Sequence, residues 1–297
     1  MYRFIKKAVC MTLIVALFSI FSTGCDQQEV IRIGHKNYTE QRIMGQMFAL
    51  LIENNTNYKT DVKEFGGTLL VHEALKSKKI DLYGEFTGTA YAAILKQSGL
   101  TKSQEVYEYV KDEYKKQFDI LWLEPLGYNN TYTFTLKKDL AEQLNIKTTS
   151  DLAQHAPNLK FGPTHEFMER EDGWLGAKKV YGLVFKEMKP LDPGLRYAAI
   201  KDDKVDVIDA YSTDGKLLAM DLAILEDDKQ FFPPYYVAPI VHGNVAEKYP
   251  DVVELLNKLG SQVSEEEIRQ VNYQVDEKGI PVKKAAEDFL RSKGLIK

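Results

Sequence analysis

The chain alternates short apolar runs with amphipathic segments along most of its length. The runs VIRIGHK and IDLYGEF predict short buried strands. Between them, the segment TEQRIMGQMFALLIENN places Met44, Met47, Phe48 and Leu51 on one helical face, with Thr39 as the expected N-cap. Short strands that alternate with helices predict an α/β fold whose sheets contain parallel strands.

The segments EALKSKKIDLYGEFT and YAAIKDDKVDVIDAYST share one pattern. Each has an amphipathic helix, a charged turn, an apolar strand and an aromatic residue beside Thr or Ser. This internal similarity predicts two related halves, each with a ring, Phe86 or Tyr211, at the carboxyl end of a strand. Ligands of open α/β sheets bind at these ends.

Three further segments give specific expectations. TGTAYAAILKQ predicts a helix, and LKFGPTHEF predicts a strand followed by a loop. TSDLAQHAP predicts a helix capped by Thr149 or Ser150. The acidic turn and proline pair of LEDDKQFFPPYY are suited to a place where the chain crosses between two lobes.

The first 25 residues follow a different pattern. A basic start, RFIKK, precedes the apolar run AVCMTLIVALFSIF, which has signal-peptide length and is short for a membrane span of about 20 residues. The following STGC resembles a bacterial lipobox, although Ser22 stands where Leu is usual. We therefore expect residues 1–24 to be a lipoprotein signal peptide, Cys25 to be lipidated and residues 25–29 to be a tether. The alternative is an ordinary secretory signal with a Cys near its end.

Composition places the mature chain among globular proteins that have no disulfide framework. Of the two Cys, Cys10 lies in the expected signal peptide, so stability must come from a packed core. Because the expected signal peptide has three basic residues and no acidic one, its removal changes the net charge from −4 to −7. Acidic and basic residues are interspersed, which argues against a nucleic-acid partner.

The sequence lacks the motifs of metal-dependent and covalent catalysis. The five His show no H-x-H or HExxH spacing, and there is no G-x-S-x-G elbow or P-loop. The EF-hand-like fragment DAYSTDG lacks the later acidic ligands of a calcium loop. Asp81 and Glu85 could form an acid/base pair, but a solvated or capping carboxylate is the alternative expectation. We predict a protein that is not an enzyme and holds no metal or cofactor.

Aromatic residues stand at loop junctions instead of along helical stripes. Phe86 ends a strand, Tyr132 follows GYNNT, Tyr211 ends VDVIDAY and Tyr235 follows FFPP. Rings with no general acid nearby favour a cation that donates no hydrogen bonds, such as a quaternary ammonium. Each desolvated ring face contributes about 0.5–2 kcal/mol of cation–π attraction. Gly88 is expected to leave room for such a ligand beside Phe86.

Six segments together resemble the substrate-binding lipoproteins of osmoprotectant ABC importers, which take up glycine betaine, choline, carnitine and related betaines. The segments are IGHKNYTEQRIMGQM, FGGTLLVHEALKSKKIDLYGEFTGTAY, YNNTYTFTL, SDLAQHAPNLKFGPTHEFMEREDG, YAAIKDDKVDVIDAYSTDG and LEDDKQFFPPYY. The resemblance implies a two-lobed α/β periplasmic-binding-protein fold of type II, with two crossings between the lobes. Residues 30–132 plus 236–297 would form lobe 1, and residues 133–235 would form lobe 2.

The resemblance also implies which residues hold the ligand. The cage around the quaternary ammonium would be formed by Phe86, Tyr132, Tyr211 and Tyr235. The contacts to a ligand carboxylate would come from Lys36, Thr89 and Arg170. Two alternatives remain open, because Lys36 could lie on the surface and Arg170 could pair with Glu166 or Asp172.

One residue departs from the family pattern, which usually has Tyr where Phe86 stands. Phe keeps the ring quadrupole that attracts a cation but lacks the hydroxyl. A larger trimethylammonium ligand, such as carnitine or ergothioneine, could use the freed space. His165 and Trp174 are further candidate contacts to such a ligand, with a structural role as the alternative.

The function implied by the resemblance is that of an extracytoplasmic binding protein, anchored to the bacterial cell membrane through Cys25. It would deliver a quaternary-ammonium solute to a permease and an ATPase encoded separately. Two alternatives belong to other classes of protein. One is a sensory binding module that passes its ligand to a receptor, and the other is a hydrolase of choline esters, which would need a nucleophile–base pair that no motif provides.

Overall fold

The structure is a computed structural model that describes residues 29–297. The expected signal peptide, Cys25 and all but the last residue of the tether 25–29 lie outside the described residues. Within residues 29–297, no helix is long and apolar enough to cross a lipid bilayer.

Strands and helices alternate along the described chain, as the hydrophobic pattern predicts. The strands are β1 (Val30–His35), β2 (Lys59–Glu64), β3 (Leu82–Phe86), β4 (Ile120–Trp122), β5 (Tyr132–Lys137), β6 (Lys160–Gly162), β7 (Glu187–Met188), β8 (Val207–Tyr211), β9 (Leu222–Ile224) and β10 (Val237–His242). The α-helices are α1 (Thr39–Asn55), α2 (Thr68–Lys76), α3 (Ser103–Phe118), α4 (Lys138–Leu144), α5 (Thr149–His155), α6 (His165–Glu169), α7 (Trp174–Tyr181), α8 (Arg196–Lys201), α9 (Lys216–Ala219), α10 (Gly243–Lys248), α11 (Pro250–Asn257), α12 (Glu265–Asp276) and α13 (Val282–Ser292).

The strands form two five-stranded sheets. The first sheet has the order β2-β1-β3-β10-β4, and the second has the order β7-β6-β8-β5-β9. The middle strands are β3 and β8, which are the two strands of the internal similarity in the sequence. Phe86 and Tyr211 therefore end equivalent strands, one in each sheet.

Each sheet is mixed: it contains the parallel strands that the sequence predicts, and it also contains antiparallel strands. In the first sheet β1 is parallel to β2 and β3, whereas β10 is antiparallel to β3 and β4. In the second sheet β6 is parallel to β7 and β8, whereas β5 is antiparallel to β8 and β9. The antiparallel strands β5 and β10 directly follow the two passages between the sheets, so they enter each sheet from the opposite direction.

The two passages lie close to the predicted crossings. The chain leaves the first sheet after β4 and enters the second with Tyr132, the first residue of β5. It returns to the first sheet with Val237, the first residue of β10. The division into lobe 1 (30–132 plus 236–297) and lobe 2 (133–235) stays a prediction.

A buried carboxylate joins the first passage to the helices that cover the first sheet. Glu40, at the start of α1, accepts hydrogen bonds from the Tyr128 hydroxyl at 3.0 Å and from Asn130 Nδ2 at 2.9 Å. Its other oxygen accepts one from Asn272 Nδ2 of α12 at 3.0 Å. Burial raises the pKa of Glu40, and hydrogen bonds from groups such as Thr213 and Asn272 oppose that rise. The passage is thus fixed by polar contacts as well as by apolar packing.

Helix α1 packs on the first sheet through the face that its sequence predicts. Met44, Met47, Phe48 and Leu51 are each at most 1% exposed. Full burial of each such side chain stabilises the fold by about 1.5–3 kcal/mol. Helix α13 packs along α1 from the other end of the chain, so the C-terminal segment belongs to the covering of the first sheet.

Local boundaries differ from the sequence expectations in four places. Tyr38, not Thr39, is the N-cap of α1, and Thr39 donates its hydroxyl to Asp276 at 2.6 Å. Thr148, not Thr149 or Ser150, caps α5 in a capping box. The expected helix TGTAYAAILKQ is shortened to a π-helical turn, Thr89–Ile94. The expected loop after β6 contains helix α6, whose N-cap is Thr164.

Acidification should destabilise the fold through His72 of α2. The ring is 3% exposed, and its centroid lies 5.5 Å from that of Tyr114 and 5.1 Å from that of Phe118. Burial lowers the pKa of His72, and the charge of Glu85 acts in the opposite direction. Below about pH 6.5 the unfolded state therefore binds more protons, and the free energy of unfolding falls by up to about 1.4 kcal/mol per pH unit for each such His.

Denaturation curves between about pH 7.5 and 5.5 would measure this slope. We expect His72→Phe to reduce it, because the substituted ring no longer titrates. The matched control is the exposed His165→Phe, which should keep the wild-type slope. A slope in His72→Phe equal to that of the wild type would contradict the assignment.

Candidate functional site

A cavity of about 20 Å³ lies between the two sheets, and all seven side chains predicted as ligand contacts line it. They are Lys36, Phe86, Thr89, Tyr132, Arg170, Tyr211 and Tyr235. This volume is far below the range of about 300–1,000 Å³ that is usual for small-molecule pockets, so the two sides must move apart before a ligand can enter. The lining residues come from both sheets, so a ligand bound among them would be contacted from both sides.

Strand ends bring these side chains together. Phe86 is the last residue of β3, and Lys36 directly follows β1 in the same sheet. In the second sheet, Tyr132 at the start of β5 is paired in register with Tyr211 at the end of β8. Tyr235 lies two residues before the start of β10, so the returning passage supplies it.

Three tyrosine rings form a continuous aromatic wall. The centroids of Tyr132 and Tyr211 are 5.1 Å apart, and those of Tyr132 and Tyr235 are 5.7 Å apart with the rings nearly perpendicular. Burial raises the pKa of Tyr132 and of Tyr235 well above the usual value, so these phenols stay neutral. The fourth predicted ring, Phe86, has the ammonium of Lys36 5.4 Å from its centroid.

A buried ion network supports Tyr211 within the second sheet. Arg196 is 2% exposed, pairs with Asp209 at 3.1 Å and with Asp214, and lies 4.7 Å from the centroid of the Tyr211 ring. The backbone N–H of Tyr211 donates to Asp214 at 3.0 Å. Asp209 also accepts the backbone N–H of Thr164, the N-cap of α6, at 2.7 Å. One network therefore positions both the ring and the helix that precedes Arg170.

Gly88 makes room for Tyr235, which corrects the expectation that it makes room for the ligand. A Cβ atom at this position would lie 2.6 Å from the Tyr235 ring and 2.9 Å from the Pro234 carbonyl oxygen. The neighbouring Thr87 donates its hydroxyl to the same carbonyl at 2.9 Å. Its backbone N–H donates to the Tyr236 carbonyl at 2.9 Å. The segment GEFTGT thus fixes the returning passage and its ring.

Arg170 is buried and donates four hydrogen bonds to protein groups. Its Nε and Nη2 atoms donate to the Asp172 carboxylate at 2.9 and 2.5 Å, and Nη1 donates to Glu166 at 2.8 Å. Nη2 also donates to the Thr89 hydroxyl at 3.2 Å. Burial lowers the pKa of Arg170, but Asp172 and the other acidic neighbours outweigh burial and hold the pKa well above its usual value. The pairing alternative for Arg170 is therefore present, although the side chain also lines the cavity.

Glu166 connects helix α6 to helix α2, which lies on the other side of the cavity. Its carboxylate accepts the hydroxyl of Thr68, the first residue of α2, at 2.5 Å. Burial raises the pKa of Glu166, but Arg170, Lys36 and Thr68 together outweigh burial and leave that pKa below its usual value. The Thr68–Glu166 and Thr89–Arg170 hydrogen bonds both join an element of the first sheet to the segment around α6. We call these two bonds the clamp.

Lys36 is buried, which eliminates the alternative of a surface position. It is 3% exposed and donates to Glu85 at 2.6 Å. Glu85 is fully buried and also accepts the Tyr83 hydroxyl at 2.9 Å, so the expectation of a solvated or capping carboxylate is wrong. The other candidate acid, Asp81, pairs with Arg32 on a different part of the sheet.

The ionised groups around the cavity carry a net negative charge. The described residues that line the cavity, or form an ion pair with one that does, include two cations, Lys36 and Arg170, and three anions, Glu85, Glu166 and Asp172. Their formal charges sum to −1. A cation placed among the rings would balance this charge.

Four lining residues were missed from sequence. They are Tyr38, Thr68, Asn130 and Glu166. The rule applied to the other rings would have found Tyr38, because it also follows a strand end, and its ring centroid lies 5.2 Å from that of Tyr211. By contrast, the candidates for a larger ligand lie elsewhere: His165 is exposed, and Trp174 packs against Phe161 in the core.

Comparison with known proteins gives one consistent family. Residues 29–292 match the model of the substrate binding domain of the ABC-type glycine betaine transport system. The chain is 32% identical to the carnitine transport binding protein OpuCC of Listeria monocytogenes, over 97% of this chain and 96% of that protein. A crystal structure described as a glycine betaine/carnitine/choline ABC transporter is 33% identical, with a TM-score of 0.73 over 89% of this chain and 99% of that chain.

A second relative is a longer protein. The chain is 35% identical over 98% of its length to the ergothioneine transport permease/ergothioneine binding protein EgtU of Helicobacter pylori. It spans 54% of that protein, so about half of that relative has no counterpart in this chain. The similarity to the solved structure described above confirms the two-lobed type II architecture that the sequence leads us to expect.

Proposed function

The chain belongs to the family of substrate-binding domains of ABC-type glycine betaine transport systems, and we propose that it captures a quaternary-ammonium solute in the cavity between its sheets. It does so outside the cytoplasm, anchored to the cell membrane through a lipid on Cys25. It then delivers the solute to a permease and an ATPase encoded separately. This chain performs no covalent chemistry in the proposal, because ATP hydrolysis and translocation belong to those partner subunits.

One observation carries the proposal: rings from both sheets surround the cavity, and the ionised groups that line it or pair with its lining residues sum to −1. A quaternary ammonium cannot donate a hydrogen bond, so a site for it needs ring faces and buried negative charge. Tyr132, Tyr211, Tyr235 and Phe86 supply the ring faces. A primary ammonium would instead need acceptors at hydrogen-bond distance on several sides.

A ligand carboxylate has a defined place beside Arg170. Four hydrogen bonds to Asp172, Glu166 and Thr89 use four of the five N–H donors of the guanidinium. One N–H on Nη1 remains, and the Thr89 hydroxyl, which accepts from Arg170, still has its own proton to donate. Together these two donors can hold one carboxylate, which is the contact that a betaine needs and choline does not.

Closure around the ligand follows from the two-sided contacts. The clamp and the Tyr38–Tyr211 ring pair join the two sides of the cavity. A ligand that touches rings on both sides binds the closed form better than the open form, and this difference shifts the population toward closure. The closed form is then what the permease recognises.

A larger betaine is a second candidate ligand. The Helicobacter pylori relative is named for ergothioneine, and the family resemblance leads us to expect Tyr where this chain has Phe86. A ligand of this kind carries the same trimethylammonium and carboxylate groups, so the cage and Arg170 would serve it in the same way.

A thermal-shift screen tests the proposal directly. The mature chain should be stabilised by at least one of glycine betaine, choline, carnitine, proline betaine and ergothioneine. At a concentration of about 100 times the dissociation constant, the added free energy of unfolding is about 2.7 kcal/mol. Proline and histidine, which lack a quaternary nitrogen, are the controls. A shift with proline or histidine but with none of the five would overturn the proposal.

The contribution of one ring can be separated from that of its hydroxyl. Tyr235→Leu should weaken binding by about 2- to 30-fold, as expected for one cation–π contact of about 0.5–2 kcal/mol. The matched control Tyr235→Phe keeps the ring and loses only the hydrogen bond to Asp172, which is 2.7 Å long. The dissociation constant of Tyr235→Phe, measured by calorimetry, should therefore be close to that of the wild type. Equal losses for both variants would show that the hydroxyl, not the ring, supports binding.

The place of the carboxylate is tested by Arg170→Gln. The variant also loses the Thr89–Arg170 bond of the clamp, which should weaken every ligand by a similar factor. A direct charge-assisted hydrogen bond contributes about 1.5–3 kcal/mol, so glycine betaine should lose about 10- to 100-fold more affinity than choline. The ratio of the two calorimetric dissociation constants isolates this contact. If the ratio is the same as in the wild type, Arg170 supports the structure of the site and does not bind the ligand carboxylate.

A further inference from the structure

Two exposed leucines lie beside the ligand cavity. Leu69 and Leu70, in the first turn of α2, are 61% and 64% exposed. They directly follow Thr68, which forms part of the clamp. Adjacent large apolar side chains that remain in water next to a functional site are typical of a surface that another molecule covers.

The leucines line a groove that both sides of the molecule build. Ala93 and Lys96, which follow β3, lie on the same side as the leucines. Glu169, the last residue of α6, and Glu171, two residues later, lie on the opposite side. The groove therefore has its full shape only when the two sides are in contact.

The groove and the ligand cavity share three residues. Thr68, Glu166 and Arg170 line both spaces. Both bonds of the clamp involve these residues: Thr68 donates to Glu166 at 2.5 Å, and Arg170 donates to Thr89 at 3.2 Å. Because Arg170 lines both spaces, a change in its position on the ligand side also changes the shape of the groove.

We propose that this groove is the docking site for the permease of the same import system, and that it receives an apolar permease side chain flanked by a basic residue. The inference rests on the proposed function, since it assigns a surface to the delivery step. Ligand binding stabilises the clamp, the clamp completes the groove, and the permease binds the completed groove.

The charge of the groove defines the chemistry of the partner. Three acidic residues, Glu166, Glu169 and Glu171, stand along one side, and Lys96 stands on the other. Arg170 pairs with both Asp172 and Glu166, and Lys179 pairs with Glu171. Together with Glu169 and Lys96, these groups have a formal net charge of −1. An excess of negative charge around exposed leucines complements an apolar residue beside Arg or Lys.

The position of the groove also suits binding of a permease better than binding of a small solute. A permease must distinguish the closed, loaded form from the open form, and this surface exists in full only in the closed form. The Helicobacter pylori relative is named both as a permease and as a binding protein, and this chain matches about half of it. A permease is thus the class of partner that a relative carries within one protein.

The experiment uses the lipid-anchored chain reconstituted in liposomes with its permease and ATPase. In the variant Leu69→Glu/Leu70→Glu, ligand-stimulated ATP hydrolysis and uptake should fall at least tenfold, and binding to the purified permease–ATPase complex should fall in parallel. The calorimetric dissociation constant for the ligand should stay within about twofold, because neither leucine lines the ligand cavity. The matched control is Val184→Glu/Leu195→Glu, at residues 65% and 56% exposed outside the groove.

Each result decides between the two proposals. If the wild-type chain binds no quaternary-ammonium ligand, the proposed function fails, whatever the groove does. If ligand binding is intact and the leucine variant still binds the permease complex and supports uptake as wild type does, the leucines face something else, such as lipid, and the docking site is overturned. An equal loss in the control variant would also overturn it.

Discussion

The buried guanidinium of Arg170 is the interaction on which the site depends. It pairs with Asp172 and Glu166, donates to Thr89 and lies 5.5 Å from the centroid of the Tyr132 ring. These partners come from both sides of the cavity. A buried cation of this kind needs all of its partners, because an unpaired charge in the interior costs several kcal/mol. Assembly of the site and contact between its two sides are therefore a single event.

Buried ion pairs of this kind favour a unique arrangement more than they favour stability. The desolvation of Arg170, Lys36 and their carboxylates offsets much of the attraction between them. What they provide is geometry: Asp172 also accepts the Tyr235 hydroxyl, and Asp214 accepts the backbone N–H of Tyr211. The rings are thus held in place before a ligand arrives, which reduces the entropy lost on binding.

The sequence was sufficient for the architecture and for the seven predicted residues that line the cavity. Both depend on local signals, namely hydrophobic period and aromatic residues at strand ends such as Phe86 and Tyr211. It was insufficient for the ion pairs, because Lys36 and Glu85 are 49 residues apart and meet only after two strands have paired. The role of Gly88 depended in the same way on Tyr235, which arrives from the far end of the chain.

The burial of these charges has a consequence for the conditions under which the cavity works. Dissolved ions screen charges at the surface over about 8–10 Å at ordinary ionic strength, but they act much less on buried pairs. Lys36 is 3% exposed and Glu85 is fully buried. The electrostatic part of ligand binding should therefore persist in concentrated brine, where attraction between exposed charges has been lost.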